Sequence, residues 1–247
     1  MISLDFETAS ELDLRLTGAY TYARSSRTRV LCLCWREPGR PAKEWRIGSS
    51  ANSTPLLSLL DAVASGAKIG AHNAEFEWVI WNNVFLRQLG ISAPALSLDQ
   101  LECTMARCLY HGLPAALDDV GHALGLPPEL AKDTHGQSLM MRMNKPRTRN
   151  ADGSAASWWH EDEPERLDRL VGYCHRDTLA EMTVASRVPP LPEPEQKLWR
   201  LNCEMNAAGI GVDASLVEAM KRTTITEKKR LDQHMAQLFR LTLAHFK

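Results

Sequence analysis

The chain opens M-I-S-L-D-F-E-T-A-S, and its first two acids, Asp5 and Glu7, stand two positions apart. Ile2, Leu4 and Phe6 alternate with Ser3, Asp5 and Glu7, the period of a half-buried strand. Successive strand side chains point to opposite faces, so the two acids share one face while Phe6 turns into the core. Their Cα atoms then lie roughly 7 Å apart, two steps of strand rise. Carboxylates held that close repel, and a fold that fixes them side by side commonly supplies a hard cation such as Mg²⁺. Asp-x-Glu alone is a weak signal, with two solvated carboxylates on an edge strand as the plainer alternative.

Two other stretches carry candidate partners. His72-Asn73-Ala74-Glu75-Phe76-Glu77 falls where a short strand runs into a helix, with Asn73 at the N-cap position. Acids in a first helical turn also suit the helix dipole, so capping is the simpler account of Glu75 and Glu77. Tyr173-Cys174-His175-Arg176-Asp177 lies inside a long helical pattern, where i, i+4 spacing sets Tyr173 and Asp177 side by side on one face. Taken alone, that pair reads as a surface acid beside a half-buried tyrosine.

The elements that must position these residues follow from periodicity and punctuation. After the first strand, 20–29 reads as a polar, arginine-rich connection. Strands are expected at 30–35, 43–47 and 68–71, with helices at 54–63 and from Asn73 to about Leu89. The stretch 98–143 is mostly helical, broken at Gly112-Leu113-Pro114 and Pro127-Pro128. Residues 144–157 lose all periodicity and read as a mobile loop. A long helix spans about Pro164 to Arg187 and stops before Pro189-Pro190-Leu191-Pro192, the best domain boundary. A helix from Glu195 to Asn206, a strand-like Gly-Ile-Gly-Val-Asp turn and a charged helix from Ala214 onward complete the chain, with no internal repeat. Early strands interleaved with later helices argue an α/β fold with a mixed sheet.

Composition bounds the rest. With 247 residues, 44% hydrophobic and 24% charged, the chain can bury a real core. The net charge of −1 excludes a uniformly basic nucleic-acid binder, though not an enzyme that grips nucleic acid through local basic clusters and metals. No apolar run reaches membrane-spanning length and the chain starts in a charged strand, so a cytoplasmic protein without signal or membrane segment is expected. None of the six cysteines forms Cys-x-x-Cys, and Cys32-x-Cys34 in an apolar run reads as buried free thiols. His72, His111, His122 and His135 show no ligand spacing.

Asp5-x-Glu7, Asn73-x-x-Phe76-Glu77 and Tyr173-x-x-x-Asp177 together resemble the three motifs of the DEDD 3′→5′ exonucleases. More narrowly, they resemble the tyrosine subclass found in family A (polymerase I-like) DNA polymerases of phages and prophages. The resemblance covers 1–190 as an exonuclease domain and continues into 191–247. There Leu198-Trp199-Arg200-Leu201-Asn202 and Ala208-Gly209-Ile210-Gly211-Val212-Asp213 look like the start of a mainly helical polymerase module. It implies a ribonuclease H-like fold, a mixed central sheet flanked by helices. Palm and fingers would follow residue 247, so this stretch is not expected to polymerise by itself. One residue departs from the family pattern: Glu77 stands where Asp is usual.

The activity implied is hydrolysis of nucleotides from the 3′ end of single-stranded or frayed DNA, with two Mg²⁺ or Mn²⁺ ions clamping the scissile phosphate. By the resemblance, Asp5 bridges both ions, Glu7 and Asp177 complete the coordination of the first ion, and Glu77 holds the second ion, directly or through water. Tyr173 orients the attacking water, since a phenol of ordinary pKa about 10 is a poor base. Asn73 supports the site as cap and hydrogen-bonding group, and Thr8 meets the terminal nucleotide. Leu12 and Phe76 are candidates to wedge near the terminal base, and Arg142, Lys145, Arg147 and Arg149 to follow phosphates. Trp158-Trp159 fits stacking on DNA less well than anchoring a helix. The expected partners are a DNA 3′ end, RNA as the alternative, and a polymerase module in cis or in trans. Two other readings stay open: a ribonuclease D-like RNA exonuclease, and an inactive exonuclease fold kept as a scaffold. The histidine subclass is disfavoured, because Gly172 holds the place its histidine would take.

Overall fold

Five strands form one sheet in the order β3-β2-β1-β4-β5. The central strand β1 (Ile2–Ala9) runs antiparallel to β2 (Arg29–Arg36), which runs antiparallel to β3 (Lys43–Arg46). On its other side β1 runs parallel to β4 (Ile69–Ala71), and β4 parallel to β5 (Leu101–Cys103). The chain is therefore α/β, with a five-stranded mixed sheet flanked by helices. The computed structural model describes residues 1–127 and 134–239, with backbone alone at 134 and 135. Pro128 and the side chain of His135 lie outside the described residues. Among those described, no helix is long and apolar enough to cross a membrane.

The alternation along β1 gives the sheet two unlike faces. Leu4 and Phe6 enter the larger core, where the Phe6 ring centroid lies 5.3 Å from Phe85 and 6.3 Å from Trp81. Burying a side chain of that size contributes about 1.5–3 kcal/mol. This face is covered by α2 (Thr54–Ala64) and by the helical run of α3 (Ala74–Ile80), a π-helical turn (Trp81–Phe85) and α4 (Leu86–Leu89). A π turn inserts an extra residue into a helix, and here it falls where Trp81 and Phe85 both enter the core.

The opposite face meets α9 (Pro164–Arg187), where Cys32 and Cys34 of β2 pack with Val171 and Cys174. Pro164 starts the helix at a position where its missing N–H costs nothing, and the chain leaves at Val188 before the proline run. Smaller cores join α9 to α7 (Thr134–Met143), and α9 to α5 (Thr104–Tyr110) and α6 (Leu117–Ala123).

Several sequence expectations are corrected. The stretch 20–29 is not a connection throughout: α1 (Leu14–Arg24) occupies its first half. Asp13 caps α1 by accepting from the Arg15 amide at 2.9 Å, and Gly18 breaks it at φ 73, which blurs the helical period. The mostly helical stretch hides β5, three residues too short to show alternation. The loop at 144–157 is a hairpin of β6 (Pro146–Arg149) and β7 (Ala155–Trp158). Its turn closes where Asp152 accepts from the Ser154 amide at 2.9 Å and Gly153 adopts φ 84. Arg149 donates to the Glu11 carbonyl at 3.0 Å, tying the hairpin down, so its charge is engaged there. Trp158 is buried, and after the short α8 (Trp159–Asp162) begins, the Trp159 ring is ringed by the guanidinium groups of Arg142, Arg147 and Arg166.

The chain divides into two compact units, Met1–Glu204 and Met205–Lys247. In the first, α10 (Glu193–Ala208) begins: Gln196 donates to the Leu101 carbonyl at 3.1 Å and Trp199 packs on the main core. In the second, 209–213 is an irregular connection between two helices, and α11 (Ala214–Phe239) presents Leu216, Met220, Ile225 and Leu231 as exposed residues.

Candidate active site

A cavity of about 540 Å³ opens over the α9 side of β1. It gathers Asp5 and Glu7 from β1, Glu77 from α3, and Tyr173 and Asp177 from α9. Residues from three distant stretches of the sequence thus converge because β1 is central and α9 packs over it. Thr8, Leu12, Asn73, Phe76 and Lys145 line the same cavity, whereas Arg142 and Arg147 do not. Arg147 instead pairs with Asp162 at 3.2 Å and Glu163 at 3.4 Å beside the Trp159 ring.

Electrostatics sets these acids apart from solvated surface carboxylates. Asp5, Glu7 and Glu77 are all pushed well above the ordinary carboxylate range. Burial is the first cause for each. The neighbouring carboxylate is the second: Asp177 for Asp5, and Asp5 for both glutamates. Glu77 is 3% exposed, and its Oε2 is buried with no hydrogen-bond partner. The site thus combines oxygen donors, mutual repulsion and an orphaned carboxylate oxygen. That combination fits a hard divalent cation.

Of the two acids in the second motif, Glu77 turns into the cavity. Glu75 instead accepts from the Tyr20 hydroxyl at 2.8 Å, and Tyr20 also donates to the Cys203 carbonyl at 3.1 Å. Asn73 sits at the N-cap position of α3 but in the left-handed region, φ 70, and its side chain makes no capping hydrogen bond. The expected capping role is therefore not what the residue does. Asparagine tolerates this conformation better than most residues, which lets β4 turn sharply into α3.

Tyr173 is 3% exposed and hydrogen-bonds to Asp177. Burial, then the charges of Asp177 and Glu7, drive its phenol up beyond the normal tyrosine range. The Thr8 hydroxyl is engaged by the Tyr22 hydroxyl at 3.0 Å, leaving its backbone as the group free of that contact. The Phe76 ring lies 6.5 Å from Tyr22, and Leu12 flanks the same wall.

The sequence reading missed Glu181, which also lines the cavity. It continues the Tyr173-Asp177 ridge by one more i+4 step, a signal that was available. It also missed His72, whose Nε2 lies 2.7 Å from the Ala115 carbonyl, and Asn144 and Met105. His111 meets the Pro189 carbonyl and His122 lies near Asp118, outside the cavity.

No protein-family model matches the chain. A DNA polymerase of Bacillus phage SP02 is 30% identical over 221 residues, covering 88% of this chain and 32% of that protein. The chain is thus homologous to a phage DNA polymerase, and spans about a third of that relative's length.

Proposed function

We propose that this chain is a two-metal-dependent 3′→5′ exonuclease acting on the 3′ end of single-stranded or frayed DNA. The observation that carries the reading is the convergence of Asp5, Glu7, Glu77 and Asp177, with Tyr173, in one cavity. The kinship to a phage DNA polymerase favours DNA as the substrate class. Under this reading the five-stranded sheet is ribonuclease H-like, 1–190 is the nuclease domain, and 191–247 begins a polymerase-like module.

Asp5, Glu7, Glu77 and Asp177 would hold two divalent ions, Mg²⁺ or Mn²⁺. When bound, these would supply Lewis acidity to the scissile phosphate and its leaving oxygen. The chain's own groups do the positioning. Tyr173 keeps its proton at neutral pH because burial and the neighbouring carboxylates of Asp177, Glu7 and Asp5 oppose the phenolate. Its hydroxyl therefore orients a water through a hydrogen bond and does not deprotonate it. Phe76 and Leu12 offer an apolar wall for the terminal base, and Lys145 a charge for the phosphate behind it.

The test is a ladder assay on 5′-labelled single-stranded DNA, with an RNA of the same sequence alongside, in Mg²⁺, Mn²⁺ or EDTA. A metal-dependent ladder shrinking from the 3′ end on DNA is expected, reduced about a thousandfold or more in Asp177→Ala. Preference for RNA would move the protein to the ribonuclease D-like class. Absence of a ladder on both substrates would leave an inactive scaffold.

A further inference from the structure

Behind the carboxylates lies a second donor cluster with different chemistry. The antiparallel register sets Cys34 opposite Asp5 and Cys32 opposite Glu7. Directly paired residues share a face of the sheet, so both thiols point toward α9. Cys174, on α9, meets them there: the three Sγ atoms lie within 4.8 Å of one another, and all three residues are fully buried. Cys174 also reaches the cavity floor, with its Sγ 3.2 Å from Asp5 Oδ2 and 3.3 Å from the Asp5 carbonyl oxygen.

We propose that Cys32, Cys34 and Cys174 form a binding site for one thiophilic d¹⁰ cation of the zinc(II) or cadmium(II) class, with the Asp5 carboxylate as fourth donor. Four-coordinate zinc takes sulfur at about 2.3 Å, which separates the sulfurs of one tetrahedron by about 3.8 Å. The thiols therefore need to close by no more than about 1 Å, a change within reach of small χ1 adjustments. The contact from Cys174 Sγ to Asp5 Oδ2 already places an oxygen donor against the trio.

Donor softness separates this site from the carboxylates above it. Thiolates select zinc-like ions, while Mg²⁺ keeps to oxygen, so the two sites take different ions in the same solution. Asp5 lines the cavity, giving a cation a route from solvent to the sulfurs. Binding displaces the thiol protons to solvent, and the dication offsets the charge of two thiolates. The site itself does not depend on the nuclease reading. One consequence does: a cation held here draws Asp5 away from the oxygen cluster and so inhibits hydrolysis.

The test is titration of the reduced, full chain with Cd²⁺ in oxygen-free buffer containing excess Mg²⁺, reading the ultraviolet thiolate-to-metal charge-transfer band. The band should saturate at one Cd²⁺ per chain. It should vanish in Cys34→Ser and in Cys174→Ser, and persist when Cys103, Cys108 and Cys203 are all replaced by serine. No band in the wild-type chain overturns the proposal without any variant. A band that survives Cys34→Ser and Cys174→Ser, or that is lost with the other three cysteines, overturns it as well. Because the band is read without turnover, its absence is distinct from failure of the ladder assay. Inhibition by Zn²⁺ that Cys34→Ser relieves would extend the result to Asp5.

Discussion

Glu77 and Glu181 occupy walls of one cavity and are buried almost equally, at 3% and 2% exposed, yet a guanidinium lies near Glu181 while the charged neighbour of Glu77 is another carboxylate. Glu77 accepts from the Phe6 backbone amide and faces the Asp5 carboxylate, which pushes its carboxyl further up. Burial pushes the Glu181 carboxyl up and the Glu102 carboxylate adds to this, while the Thr104 hydroxyl it accepts from and the Arg107 guanidinium hold the rise in check. Arg107 is itself buried, and donates to the Ala185 carbonyl at 2.9 Å. Burial therefore does not mark a ligand. What differs is the nearest charge: a guanidinium lies beside Glu181, with the Glu102 carboxylate opposing it, whereas the charged neighbour of Glu77 is the Asp5 carboxylate. On the proposed reading Glu77 is therefore the metal donor.

The most direct way to break this contrast is to neutralise each glutamate in turn. Glu77→Gln should cut nuclease turnover about a hundredfold or more, through loss of a metal donor. In EDTA the same variant should melt higher than wild type, because it removes a buried charge repelled by Asp5. Glu181→Gln should do the reverse. Turnover should stay within about threefold, while stability falls by about 1–3 kcal/mol, since Thr104 and Arg107 lose a charged partner. Equal turnover losses would show that Glu181 is a ligand as well.

Next in size is Gly136→Ala. A Cβ at Gly136 of α7 would lie 2.3 Å from Tyr173 Cδ2, so either α7 or the tyrosine has to move. Overpacking of this kind costs about 1–3 kcal/mol. On the proposed reading it should also lower turnover about tenfold, since the hydroxyl assigned to orient water shifts with the ring. Stability loss with unchanged kcat would place the movement in α7 and remove Tyr173 from the water-positioning role.

A smaller effect sharpens the electrostatic side. Asp5, Glu7 and Glu77 have folded-state pKa values raised above those of the unfolded chain. The native state therefore holds protons that the unfolded state has released. This contribution is present below the ordinary carboxylate range and is lost as pH rises through the raised values. In EDTA, Tm should fall between mildly acidic and mildly basic buffer. Mg²⁺ should raise Tm by a few degrees, and more at the basic end, where the carboxylates are ionised. A Mg²⁺ effect that shrank with rising pH would contradict a carboxylate site.

What could be read in advance follows the range of the interaction. The alternation of β1 and the i, i+4 pair Tyr173 and Asp177 are local periods that place four of the five central side chains on shared faces, and the resemblance across the three motifs is what singled them out. Glu77 needed its spacing from Asn73 as well, because a first-turn acid alone looks like a dipole partner. Features built by distant pairing were not legible. The hairpin at 146–158 depends on Arg149 reaching Glu11, and β5 depends on its pairing with β4. Arg147 looked available for phosphate until its position beside Asp162 and Glu163 was known. The thiol trio needed both the β1–β2 register and the placement of α9, which no window of sequence contains.

Glu75 provides the smallest expected effect and the control that isolates Glu77. The two acids stand two positions apart in α3, so a helix turn points them in different directions. Glu75 accepts from Tyr20, whose phenol is driven up first by burial and then by this hydrogen bond and charge. Glu75→Ala should remove one partly buried hydrogen bond and cost about 1 kcal/mol, read as a small drop in Tm. Turnover and Mg²⁺ dependence should match wild type, because Glu75 does not line the cavity. Tyr20→Phe should cost slightly more, because it also removes the contact with the Cys203 carbonyl, and the double variant should cost little more than Tyr20→Phe alone, since the Glu75 contact is shared. If Glu75→Ala instead lowered turnover as far as Glu77→Gln, the second metal's carboxylate would have been assigned to the wrong turn of α3.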